Sequence, residues 1–160
     1  MKVEFRDNNF IVFLHKKFIV DIDFFNKSVL EKYFRNLFMK FKDYYNIDVS
    51  GSYEITVYVD DVYGAILYIV KEDLDYFDYY DNQVDMTIII SKHKKFLYKL
   101  KCPIDDVIFS KCDIYLYNES FYILPNDVDY VLLGSLLECS ELVYGDDASE
   151  IICHGKLVRF

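Results

Sequence analysis

The spacing of apolar and polar positions changes several times along the chain, and each change marks an element. Val3 and Phe5 alternate with charged residues, Asp7-Asn8-Asn9 is a turn, and Phe10–Leu14 is an unbroken apolar run, so residues 2–24 open as strands. Lys16-Lys17 interrupts the run. Phe18, Val20, Ile22 and Phe24, spaced by Asp21 and Asp23, then predict a third strand with one wet face. From residue 28 the period lengthens. Leu30, Tyr33, Phe34, Leu37, Phe38, Phe41, Tyr44 and Tyr45 recur at three- and four-residue steps, which predicts a helix over 28–45 started by a Ser28–Glu31 capping box. Leu30, Phe34, Leu37, Phe38 and Phe41 are its expected buried face.

Period two returns at Tyr53, Ile55, Val57 and Val59. Asp60–Gly64 turns the chain and Ala65–Val70 completes a hairpin. Residues 72–83 carry the sharpest change in composition, an acid- and tyrosine-rich stretch read as a connection with a short helical turn. Val84–Ile90 and Lys95–Leu100 read as strands, Pro103–Asp106 as a short loop, and Cys112–Tyr117 with Phe121–Leu124 as a second hairpin. Asn126 or Asp127 caps a helix to about Leu142, with Val128, Val131, Leu132, Leu136, Cys139 and Val143 as its apolar positions. Gly145 ends that helix, Asp146 or Asp147 starts a short one over Ala148–Cys153, and Lys156–Phe160 closes as a strand.

The expected class is α+β: mostly antiparallel sheet with one long helix in the N-terminal half and one C-terminal helix. Short separations between strands favour antiparallel pairing, because parallel pairs need long crossovers. The organisation reads as a strand–helix–hairpin half over 1–71, the acidic connection over 72–83, and a half of hairpins and helix over 84–160, with one continuous domain as the alternative.

Composition narrows what such a fold does. An apolar share of 53% excludes global disorder, and no apolar run reaches the length of a membrane span. The charged, alternating N-terminus is unlike an export signal, so a cytoplasmic chain is expected. The formal net charge of −9 disfavours duplex nucleic acid and anionic membrane surfaces as partners.

Candidate chemistry is sparse. Cys102, Cys112, Cys139 and Cys153 form no CxxC pair, and reduced, inert thiols without zinc or disulfide are expected. His15, His93 and His154 read as loop or cap residues, and adjacent Cys153-His154 diverge on a helix rather than converging on a metal. The carboxylate pairs sit beside turns, where capping and solvation account for them. Tyr144-Gly145-Asp146-Asp147 copies the metal-binding tetrapeptide of RNA-directed polymerases, whose two-metal chemistry needs further aspartates and basic nucleotide contacts, but it is read here as following a helix rather than sitting between two strands, a glycine end and an aspartate start. No phosphate-binding glycine loop or Gly-x-Ser-x-Gly elbow is written. No catalytic residue, metal site or cofactor is therefore assigned.

What remains is the polar face of the 28–45 helix. Lys32, Arg35, Lys40 and Lys42, with Met39 among them, make a cationic stripe on an acidic protein. The ordinary reading is a solvated surface. The functional one is a docking face for an acidic protein partner, with charge to orient and methionine to adapt.

The order of elements resembles that of the MecA-type adaptor proteins of low-GC Gram-positive bacteria. Ile114–Tyr117 with Phe121–Leu124 look like that family's aromatic hairpin. Leu136-Leu137-Glu138 followed by His154-Gly155-Lys156-Leu157-Val158 look like its closing helix and glycine–lysine turn. Where the family has Glu-aromatic-Gly, this chain has Glu138-Cys139-Ser140. The resemblance implies a non-catalytic adaptor between a substrate and an unfoldase. The leading expectation is thus a protein-interaction or adaptor module. Two other classes stay open: a small enzyme with a site assembled in space around Cys153, His154 and nearby acids, and an acidic decoy that mimics nucleic acid. A homo-oligomer stays open as well.

Overall fold

Two five-stranded sheets organise the chain. The computed structural model describes residues 1–72, 83–103, 109–127 and 130–159, which hold ten strands and three α-helices in an α+β arrangement. By packing, Met1–Val57 with Ala65–Ile90 form one unit, and Tyr58–Gly64 with Ser91–Phe160 form the other.

The first unit begins with β1 (Lys2–Arg6) and β2 (Asn9–His15), an antiparallel pair in which Phe5 faces Phe10 across the ladder. Asp7 adopts φ 34° at their turn, a conformation that Asn and Asp tolerate better than most residues. The third strand expected over Phe18–Phe24 does not form. Lys16–Phe18 is a turn of 3-10 helix, Ile22 donates to the Ile19 carbonyl, and the Phe25 N–H goes to the Asp23 carboxylate. Asp23, which with Asp21 suggested a wet strand face, instead supplies a local turn bond that competes with a ladder.

Helix α1 (Lys27–Tyr45) buries Leu30, Phe34, Leu37, Phe38 and Phe41, the five residues expected. Its N-cap is Asn26 rather than Ser28: the Asn26 side chain accepts from the Val29 N–H at 3.3 Å, and the Ser28 hydroxyl donates to the same oxygen. Asn46 stops the helix in the left-handed region at φ 51°. Strands β3 (Gly51–Asp60) and β4 (Gly64–Glu72) form the expected hairpin, and β5 (Val84–Ile90) follows. The strand order is β1-β2-β4-β3-β5. The β3–β5 pairing departs from the antiparallel rule: β5 runs parallel to β3 from Gly51↔Val84 to Val57↔Ile90. This pairing keeps β5 in the first unit. Residues 73–82 of the expected acidic connection lie outside the described residues.

In the second unit the order is β10-β7-β8-β6-β9, with every pairing between its neighbours antiparallel. Strands β7 (Cys112–Tyr117) and β8 (Ser120–Pro125) fall where the sequence puts them. Their turn places Asn118 and Glu119 at φ 44° and 60°, the two successive positive values of a type I′ hairpin. β6 spans Leu97–Leu100 and β10 spans Lys156–Val158. The loop expected from Ile104 and the helix start at Val128 lie outside the described residues.

Helix α2 (Tyr130–Cys139) is shorter than expected and is followed at once by β9 (Ser140–Val143), which pairs with β6. The Cys139 carbonyl accepts from the Lys101 N–H at 2.9 Å, so a cross-strand bond takes the place of another helical turn. Leu132, Leu133 and Leu136 are buried, whereas Val131, expected in the core, is exposed. Helix α3 (Gly145–His154) starts earlier than expected. Tyr144 is its N-cap, without a side-chain cap bond, and Ala148 and Ile151 join a core cluster with Leu97, Tyr122 and Leu124.

Gly145 is a conformational requirement rather than a simple stop signal. Its φ is +68°, and an added Cβ would lie 2.8 Å from the Tyr58 ring. Gly145→Ala is expected to cost about 1–2 kcal/mol from the backbone alone, plus the clash. A lowered urea midpoint checks it, and Tyr58→Ala in the same background should recover the clash but not the backbone part.

Candidate interaction surface

Each cation of the α1 stripe has a different setting. Lys32 and Lys40 are exposed, and Met39 is half-buried. Arg35 is held: its guanidinium donates to the Val84 carbonyl of β5 at 2.7 Å, which ties the helix to the edge of its sheet. Lys42 is half-buried at the last turn and acts on Asp48, whose carboxyl lies below its ordinary value. The Ser50 backbone N–H is the main cause there, followed by the Ser50 hydroxyl, with Lys71 and Lys42 adding weaker attraction. The structure thus places Lys32, Arg35, Met39, Lys40 and Lys42 on one helix. Lys32, Arg35 and Lys40 are all exposed, and of these Arg35 is engaged by its bond to Val84.

The stripe has a neighbour that helical periodicity assigned to the core. Tyr44 is 79% exposed and Tyr45 50%. Tyr45 packs edge-on against Phe5 with ring centroids 5.4 Å apart, and Phe5 is itself 49% exposed. Their angular position on α1 suits burial, but the last turn meets β1, an edge strand, and the rings stay half in water. Tyr44 stands one turn beyond Lys40, so cation and aromatic share a surface. Exposed tyrosine and phenylalanine beside a basic residue are the side chains that interfaces favour. Helix α1 carries Lys27, Lys32, Arg35, Lys40 and Lys42 against Glu31 and Asp43, an excess of cations in a chain of net charge −9.

Three other constellations needed the tertiary structure. His93 lies between Ser149 and Asp146 of α3, with Ser149 Oγ 2.5 Å from Nδ1 and Asp146 Oδ1 3.1 Å from Nε2. A serine–histidine–aspartate relay has these residue types, but here the aspartate is on Nε2 and its side chain is 99% exposed. Water then competes for the charge that would orient the imidazole, and the contact reads as a clip from the lysine-rich loop to the helix. The relation would have been invisible in sequence, where 56 positions separate His93 from Ser149.

Cys153 and His154, the residues of the enzyme alternative, are both exposed in the last turn of α3. Among the thiols, Cys112 is buried and pushed up to about 11 by that burial. Cys102 and Cys139 are half-buried neighbours and Cys153 is exposed, so burial shields Cys112 alone among the four thiols.

The third constellation is structural. Asp60, 7% exposed, accepts at Oδ1 from the N–H groups of Val62 (2.8 Å) and Tyr63 (2.6 Å) and at Oδ2 from Phe96 (2.9 Å). Burial raises its carboxyl above the ordinary value, and the three donors oppose the rise.

Among the described residues no group of three or more histidine, cysteine, aspartate or glutamate side chains is placed to hold a metal ion. Among the same residues no helix is long and apolar enough to cross a membrane. No protein-family model, curated protein or solved structure matches the chain.

Proposed function

We propose that the protein is a non-catalytic interaction module of the adaptor type, working in the cytoplasm, and that α1 docks an acidic segment of a protein partner. The observation that carries this reading is α1 itself: an excess of cations on an acidic chain, with Lys32 and Lys40 exposed along the helix and exposed Tyr44, Tyr45 and Phe5 at its C-terminal end beside Lys40. Charge complementarity orients an acidic segment and raises its on-rate, while the tyrosines supply contact area at low entropic cost. The resemblance of element order to the MecA-type adaptors points to the same class.

The test reverses the two exposed lysines, Lys32→Glu with Lys40→Glu, and leaves Arg35 in place because its bond to Val84 is structural. The partner captured by the wild-type protein is purified, and the binding of the pair is measured at low and physiological salt. Thermal unfolding of the variant should be unchanged within about 0.5 kcal/mol, as for most surface substitutions. Affinity should fall at least tenfold, with the larger loss at low salt, where screening is weakest. Equal affinity of both proteins for every captured partner would overturn the reading.

A further inference from the structure

Cys102 and Cys139 are 37 positions apart in sequence and neighbours in space. The β6–β9 ladder runs through Leu100↔Ser140, and the Lys101 N–H donates to the Cys139 carbonyl at 2.9 Å. One residue on, the chain bends, and the Cys102 thiol returns to within 3.7 Å of that same carbonyl. The neighbouring Cys102 thiol is also the largest cause of a raised pKa at Cys139. Continued past Leu100↔Ser140, the register sets Lys101 opposite Cys139 and Cys102 one residue further on. A disulfide spans about 4.4–6.8 Å between Cα atoms. The bend beyond the ladder brings the Cys102 sulfur against the backbone of Cys139, at the 3.7 Å contact with its carbonyl. Both are half-buried, so a small solute reaches them, in contrast to the buried Cys112.

We propose that Cys102 and Cys139 are a redox modification site, which a low-molecular-weight disulfide converts to an intramolecular disulfide. The first of the two thiols to lose its proton attacks one sulfur of the small disulfide, and the other sulfur leaves as a thiolate. The neighbouring protein thiol, deprotonated in turn, attacks the protein sulfur of the mixed disulfide, and a second small thiolate leaves. Two protein thiols are oxidised, one small disulfide is reduced to two thiols, and the two protons end on the departing thiolates. The bond ties the end of β6 to the last residue of α2 and closes a loop that contains β7, β8 and most of α2. Cross-linking across such a loop restricts the unfolded chain.

The test treats the reduced full-length protein with oxidised glutathione and maps disulfides by peptide mass spectrometry under non-reducing conditions. The expected product links the Cys102 and Cys139 peptides, removes two of the four titratable thiols, and raises Tm by roughly 10 °C. Reduction with dithiothreitol should reverse all three changes. Cys102→Ser and Cys139→Ser should each abolish the link and leave a glutathione adduct on the remaining partner, whereas Cys153→Ser should leave the link intact. Glutathione adducts at Cys153 without the Cys102–Cys139 peptide, or a link involving Cys112 or Cys153, would overturn the proposal.

Discussion

Asp60→Ala is expected to destabilise the protein by about 3 kcal/mol or more, since each buried donor left without an acceptor costs about 1–3 kcal/mol. The carboxylate receives three backbone N–H groups, two from its own turn and one from Phe96, which lies 36 positions away. Phe96 is 1% exposed, so water does not replace the lost acceptor there. Asp60→Asn keeps one acceptor oxygen and should fall between wild type and alanine. The urea midpoint measures the loss, and hydrogen exchange locates it: the amides of Val62, Tyr63 and Phe96 should lose protection before the β7–β8 ladder does. Unchanged exchange at Phe96 would refute the assignment of the third bond. The pH dependence has a definite sign. The native carboxyl titrates above its unfolded value, so the folded chain binds more protons in that window. This group's contribution is then greatest below the ordinary aspartate value and declines as pH rises through the raised native one. Asp60→Asn should remove that slope.

Phe38→Ala is expected to cost about 3–5 kcal/mol, as for large aromatic truncations in a closed core. Phe38 is fully buried. Its ring lies 4.6 Å from that of Tyr53, 5.9 Å from Phe10 and 6.3 Å from Phe41, the last two edge-on. These rings come from α1, β2 and β3, so the cavity would open where helix and sheet meet. Phe38→Leu, which refills much of the space, should lose far less. Tyr53 provides a second readout. Burial, with a smaller contribution from Asp48, pushes its phenol up to about 12. Admitting water in Phe38→Ala should move that titration back toward the ordinary tyrosine value, followed by ultraviolet absorbance. A core that closed without a cavity would leave the phenol where it is and the loss small.

The sequence alone determined most elements of the α+β class, because their signals are local. The 3.6-residue period of α1 identified its five buried residues, and paired apolar runs around polar turns identified β3–β4 and β7–β8. It also picked out the cations of α1, since a charge that contrasts with the net charge of the chain is visible without coordinates. Other features were decided only by tertiary structure, through competition for hydrogen bonds and cover. Aspartates at 21 and 23 looked like the wet face of a strand until local turn bonds claimed the backbone. The chain over Ser140–Val143 looked helical until β6 offered a ladder, and β5, read as part of the C-terminal half, pairs instead with β3. Periodicity put Tyr44 and Tyr45 on the core side of α1, but burial needs a surface above the side chain, and only packing shows where the cover ends. The bond from Arg35 to Val84, the triple acceptance by Asp60 and the Cys102–Cys139 contact join residues 36 to 49 positions apart. No local pattern encodes such pairs, because they exist only once the strands between them have chosen their neighbours.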